Sequence, residues 1–116
     1  MIQYKKIERN NAQQAQGNCM AIAVLGEVVS ARELAQQVEK EVGIPAIRTM
    51  SVLAAFSEAL VRNIEEGRPV YLEGIGTIRP ALAFENGAPM VKKLMVSATS
   101  ALKDRLRCIV LQETED

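Results

Sequence analysis

The sequence predicts an α+β fold in which a helical hairpin hands over to a β-sheet that continues into a β-hairpin. Three observations carry this. Val52, Phe56, Leu60 and Ile64 recur at helical spacing, and that apolar stripe stops at Gly67, with Pro69 two residues on. A strand with a Gly-x-Gly corner follows at once, Val70-Tyr71-Leu72-Glu73-Gly74-Ile75-Gly76-Thr77-Ile78. Further along, Asn86-Gly87 lies between two apolar runs, and this dipeptide closes two-residue hairpins because both of its residues tolerate positive φ.

Taken in order, the chain opens with Ile2 to Glu8, which partly alternates apolar and polar residues, and continues to Cys19 to Val29, rich in Ile and Val. Both segments predict strands, joined as an antiparallel hairpin. The link NNAQQAQGN is polar and reads as a surface loop, with a low-complexity recognition tract as the other reading. Ser30-Ala31-Arg32-Glu33 fits a capping box, so a helix starts there. Leu34, Ala35, Val38 and Val42 give its apolar stripe, and Gly43 with Pro45 ends it. The link to Arg48 is short enough to fold the next helix back on the first. Thr49 or Ser51 is the expected cap of that second helix.

On its polar side Glu58 and Arg62 have the spacing of an i, i+4 pair, which reads as a solvated face. Its apolar face is longer than the first helix covers, which suits a two-fold partner. Gly74 and Gly76 predict a bulge or tight turn with close backbone approach. No helix opens after them, so a dinucleotide site fails its context. Ile78 to Glu85 and Ala88 to Val96 pair as a hairpin about Asn86-Gly87, and Cys108 to Gln112 reads as one further strand. The acidic tail, 113–116, is expected to be disordered.

Composition narrows the function classes. A chain of 116 residues makes one domain, here 1–112, and one this small gains stability from dimerisation. With aromatics at 3% and no Trp, packing rests on Leu, Ile, Val, Ala and Met. Basic and acidic residues balance at 14 each, which argues against a uniformly basic binder but leaves local clusters open. There is no His, so imidazole-based metal sites are excluded. The two cysteines, Cys19 and Cys108, form no CxxC and read as buried thiols. The N-terminus has no apolar signal core, and the longest apolar run, Met20 to Leu25, is too short to span a bilayer. These features read as a cytoplasmic protein with no membrane partner. Nucleophile elbows, paired carboxylates in a cleft and cofactor fingerprints are all missing, so the chain does not read as an enzyme and calls for no cofactor or small-molecule substrate.

The helix ending at Gly67 and the Gly74-Ile75-Gly76-Thr77-Ile78 turn resemble the HU and integration host factor family of bacterial nucleoid proteins. Ala101-Leu102-Lys103-Asp104-Arg105-Leu106 is similar to that family's last helix, and the capped helix from Ser30 to its first. The likeness runs from about Ser30 to Leu106, within a core of 30–107, and 1–29 is an added N-terminal β-hairpin. It implies an IHF-like DNA-binding fold: an intertwined homodimer of helical hairpins, with Val52, Phe56, Leu60 and Ile64 in the interface, topped by sheets whose arms embrace double-stranded DNA in the nucleoid.

The sequence departs from the family in three places. The arm is shorter and largely apolar, the proline-glycine-lysine start of the last helix is replaced by Ala98-Thr99-Ser100, and the strand after that helix is extra. On the resemblance, DNA would be contacted by Arg79, Lys92 and Lys93 of the arm and by Lys103. The backbone at Gly74, Gly76 and Thr77 would approach phosphates, and Pro89 is the candidate for the family's wedging proline. Between Arg79 and Arg107 six basic residues face two acidic ones, a net of +4 per chain. The expected function is low-specificity binding of duplex DNA. The alternative is a dimeric structural or protein-interaction module that has lost DNA binding, which the apolar arm favours.

Overall fold

The computed structural model describes residues 1–9 and 18–114. In chain order the elements are β1 (Ile2–Arg9), β2 (Asn18–Val24), α1 (Ala31–Val42), α2 (Ala46–Glu65), β3 (Val70–Leu72), β4 (Gly76–Glu85), β5 (Ala88–Ala98), α3 (Ser100–Arg107) and β6 (Leu111–Glu113). They form two units, one of Met1–Val28 with Arg105–Asp116, the other of Val29–Asp104. The expected α+β class is what the chain adopts. The polar link at 10–17 and the last two residues of the acidic tail lie outside the described residues.

In the first unit β1 is central, antiparallel to β2 and parallel to β6, giving the order β2-β1-β6. β2 ends at Val24 rather than at Val29. Its last partner is Gln3, and β1 begins one residue earlier, so beyond Val24 the ladder runs out of acceptors and donors. The final strand also shifts. The expectation starts it at Cys108, but the Cys108 and Ile109 amides still donate to Arg105 and Leu106 carbonyls, extending the turn of α3. Pairing starts when Leu111 meets Ile2, and it takes in Glu113, which the sequence places in the tail. Thr114 is held too, its amide donating to the Tyr4 carbonyl at 2.9 Å.

In the second unit α1 starts as the capping residues dictate: Ser30 Oγ accepts from the Glu33 amide at 3.2 Å. Gly43 takes φ +76° and its amide donates to Glu39 O, ending the helix. α2 begins at Ala46 with Pro45 as the preceding cap, so Thr49 and Ser51 lie inside it and not at its start. Proline supplies the extended entry without needing an N–H, and Ser51 Oγ donates back to the Ile47 carbonyl at 3.2 Å. Glu58 and Arg62 do not form the ion pair that their spacing permits; both are exposed, where such a pair offers little.

α1 and α2 pack as a hairpin, and Ala35 between them is the one fully buried hydrophobic among the described residues. The second sheet, β3-β4-β5, is an antiparallel meander joined to α2 through Gly67 at φ +79°. Both cysteines are exposed and free, a correction to the expected buried thiols. Cys19 lies on the outer strand β2, at a sheet edge, and Cys108 in the turn after α3, positions that leave both side chains exposed.

Candidate nucleic-acid interface

The arm is the β4–β5 hairpin, closed by Asn86 and Gly87 at φ +53° and +78°, the signs a type I′ turn requires. Side chains of directly paired residues in an antiparallel ladder share a face, and successive residues alternate. The register Ile78↔Val96, Pro80↔Leu94, Leu82↔Val91 and Phe84↔Pro89 therefore makes one face wholly apolar. That face is open: Leu82 is 70% and Phe84 78% exposed. The opposite face carries Thr77↔Ser97, Arg79↔Met95, Ala81↔Lys93 and Glu85↔Ala88. Arg79 and Lys93 are diagonal neighbours on it, both exposed.

Lys92 differs from its neighbour. Ala81 pairs with Lys93 and Leu82 with Val91, so Lys92 is the extra residue of a β-bulge. The bulge lets its ammonium reach the Glu85 carboxylate near the turn, with which it forms an ion pair. Of the arm's three sequence-predicted cations, two thus share a face and the third is already partnered by a carboxylate. Pro89 lies opposite Phe84, one pair in from the Glu85↔Ala88 closing pair.

The base of the arm is held by the glycine corner. The Ile75 amide donates to Leu72 O at 3.1 Å, with Gly74 at φ +80° inside that turn. Gly76 is buried at φ +148°, and a Cβ there would collide with the Ser97 carbonyl across the ladder. Close strand approach alone therefore requires glycine at 76. Thr77, next along, is half-buried and pairs with both Tyr71 and Ser97. The Thr99 amide donates to Ile75 O at 3.0 Å, while Thr99 Oγ1 accepts from the Leu102 amide at 3.2 Å. One threonine thus ties the glycine turn to the start of α3, on which Lys103 is exposed. The sequence reading missed this cap, although a Thr three residues before Leu102 is an ordinary N-cap signal.

The stripe on α2 is divided. Val52 is 66% and Phe56 44% exposed, whereas Leu60 and Ile64 are half-buried. A four-residue step advances a helix by one turn plus about 40°, so the four positions drift around α2 and do not share one line. At the N-terminal end of α2 a shallow hollow is lined by Arg32, Gln36, Ala46, Ile47, Met50, Ser51 and Ala54. Among the described residues no cluster of His, Cys, Asp and Glu has metal-binding geometry, and no helix is long and apolar enough to cross a membrane.

A helical hairpin, a three-stranded meander with a projecting arm and a short helix pinned to its glycine corner define a fold of the HU-like DNA-binding class. Residues 1–106 match the family model described as an HU domain fused to wHTH, Ig, or glycine-rich motif, and the chain belongs to this HU-HIG family. The resemblance read from the sequence holds at the level of an HU-like family. No curated protein matches. Among solved structures, one from Bacteroides vulgatus ATCC 8482, a protein for which bacterial DNA binding has been suggested, matches with a TM-score of 0.67 at 8% identity. The match covers 97% of this chain and 49% of that one, so this chain spans about half the length of its structural relative. At that identity the likeness speaks for the fold.

Proposed function

We propose that the chain is a non-catalytic architectural protein of the bacterial nucleoid, acting in the cytoplasm as a homodimer that binds double-stranded DNA with low sequence specificity. The observation that carries this reading is the shared face of Arg79 and Lys93 on a projecting arm, in a chain of an HU-like family. Two cations without base-reading partners suit phosphates, which position a protein without conveying sequence. Lys103 and the backbone of the Gly74 to Thr77 corner would add contacts near the arm's base. Lys92 contributes only by leaving Glu85. Pro89 with Phe84 makes an apolar tip of the sort that rests in a minor groove or wedges a base step.

The dimer reading is supported by surface. Val52 and Phe56, apolar residues of one helix stripe, are exposed in the single chain. In this reading 30–107 is the DNA-binding core and 1–29 an appended hairpin.

Fluorescence anisotropy of a short labelled duplex across a salt series tests the proposal. With roughly six phosphates neutralised, affinity falls about 1,000-fold between 50 and 200 mM salt. Absence of binding at the low-salt end would reject the DNA reading. The second reading, a protein-interaction module, is favoured by one observation, the fully apolar and exposed Leu82–Phe84 face of the arm. It would take over if that duplex experiment failed while the dimer persisted.

A further inference from the structure

The strand edges of this chain are not treated alike. β3 and β6 are three residues each, and β6 carries Glu113. β5 is broken by its bulge at Lys92, followed by Lys93, with Pro89 near its start. Where β4 extends past β3 it carries Arg79 and Pro80. Short length, charge, bulges and proline are the devices that keep sheet edges from pairing with other chains. β2 has none of them. Its seven residues, Asn-Cys-Met-Ala-Ile-Ala-Val, hold no charge and no proline. It pairs with β1 one to one from Asn18 to Val24, with no bulge, and its other edge has no strand beside it among the described residues.

We propose that the open edge of β2 pairs with β2 of a second copy, antiparallel across a two-fold axis, joining two β2-β1-β6 sheets into one six-stranded sheet. The occupant follows from complementarity. An axis through Ala21 sets Met20 against the partner's Ile22, Cys19 against the partner's Ala23, Asn18 against the partner's Val24, and Ala21 against itself. Apart from the Asn18–Val24 ends, large apolar residues meet large on one face and small meet small on the other, and each residue keeps its face, as antiparallel pairing demands. No like charges meet across the axis, whereas self-pairing of β5 would bring Lys92 and Lys93 towards their own copies and self-pairing of β6 would do the same for Glu113. Met20, Ile22 and Val24, with Ile7 beside Met20, then form one continuous apolar strip over both copies.

The edge pairing is independent of DNA binding, and together with the helix-mediated dimer proposed above it makes an assembly larger than a dimer.

Sedimentation of the full chain tests this with Ile22→Lys, which places a charge on the β2 edge, and Phe56→Glu, which places one on the helical face. The unaltered protein is expected to exceed twice the 12.7 kDa chain mass at high concentration. Each single variant should leave a dimer, and the two together should leave single chains. An assembly whose mass Ile22→Lys leaves unchanged would overturn the edge pairing; one that Phe56→Glu leaves unchanged would overturn only the helical dimer. A second variant keeps the test independent of folding losses at Ile22. With Cys19→Ser and Cys108→Ser as background, Ala21→Cys should give a disulfide-linked pair under mild oxidation, because facing residues of an antiparallel ladder lie within bridging distance. Ile7→Cys on the central strand should not, and failure of the Ala21→Cys chain to link would overturn the proposal.

Discussion

The two hairpins of this chain, β1–β2 and β4–β5, contain similar numbers of residues and differ in nearly everything else. β4–β5 is closed by a two-residue turn at which both φ values are positive, and its outer strand is bulged and basic. β1–β2 keeps an unbroken register and an outer strand with no charge at all. Both are exposed two-stranded ribbons over much of their length, so burial does not explain the contrast. Edge chemistry does: the first of these edges repels other strands and attracts polyanions, and the second accepts a strand.

The largest effect on this contrast should come at the root of the arm. Gly76→Val combines a forbidden φ with a backbone collision, and a loss of about 3 kcal/mol or more is expected in urea unfolding. Next is function. Arg79→Glu with Lys93→Glu reverses the charged face in both arms, and duplex affinity should drop at least about 100-fold at fixed salt. Lys93→Ala alone should lower the salt slope by about 2 per dimer. An equal effect from Ile22→Lys would erase the division of labour between the hairpins. Smaller again is Gly87→Val, which puts a β-branched residue at φ +78° and should cost about 1 to 2 kcal/mol, read as a lowered melting temperature. The smallest effect is expected from Lys92→Ala. It removes an exposed ion pair worth less than about 1 kcal/mol, and it should weaken DNA binding less than Lys93→Ala does.

Most of the architecture was legible where one residue type has one physical use. Ser30 with Glu33, Gly43, Gly67 and Asn86-Gly87 each marked a boundary because a cap or a positive φ leaves few alternatives. Boundaries set by a distant partner were not legible. β2 stops at Val24 because β1 runs out, and β6 starts at Leu111 because that is where Ile2 lies; no local pattern encodes either. The start of α2 was not legible either: Thr49 and Ser51 are better-known caps, but Pro45 takes the cap position and both hydroxyls fall inside the helix.

The site shows the same division. The arm's cations were visible as residues, but their grouping was not. A single bulge moves Lys93 onto the face of Arg79 and turns Lys92 towards Glu85. Counting alternation along β5 without the bulge assigns the two lysines the wrong way round. Likewise the α2 stripe was read as one interface, while its drift around the helix exposes Val52 and Phe56 more than Leu60 and Ile64.

The parallel pairing of β6 with β1 also sets an order of events. Thr114 and Tyr4 are 110 residues apart in the chain, and closing a loop of that length costs about 2 kcal/mol more entropy than closing one of ten residues. The helical hairpin and the β-arm are made of neighbours in sequence and need no such closure, so they are expected to form early, as local contacts do. β6 can dock only once residues through Glu113 have been synthesised. Until then Ile2 to Tyr4 have no strand on their β6 side, and the nascent chain exposes a stretch of β1 edge that the folded protein covers.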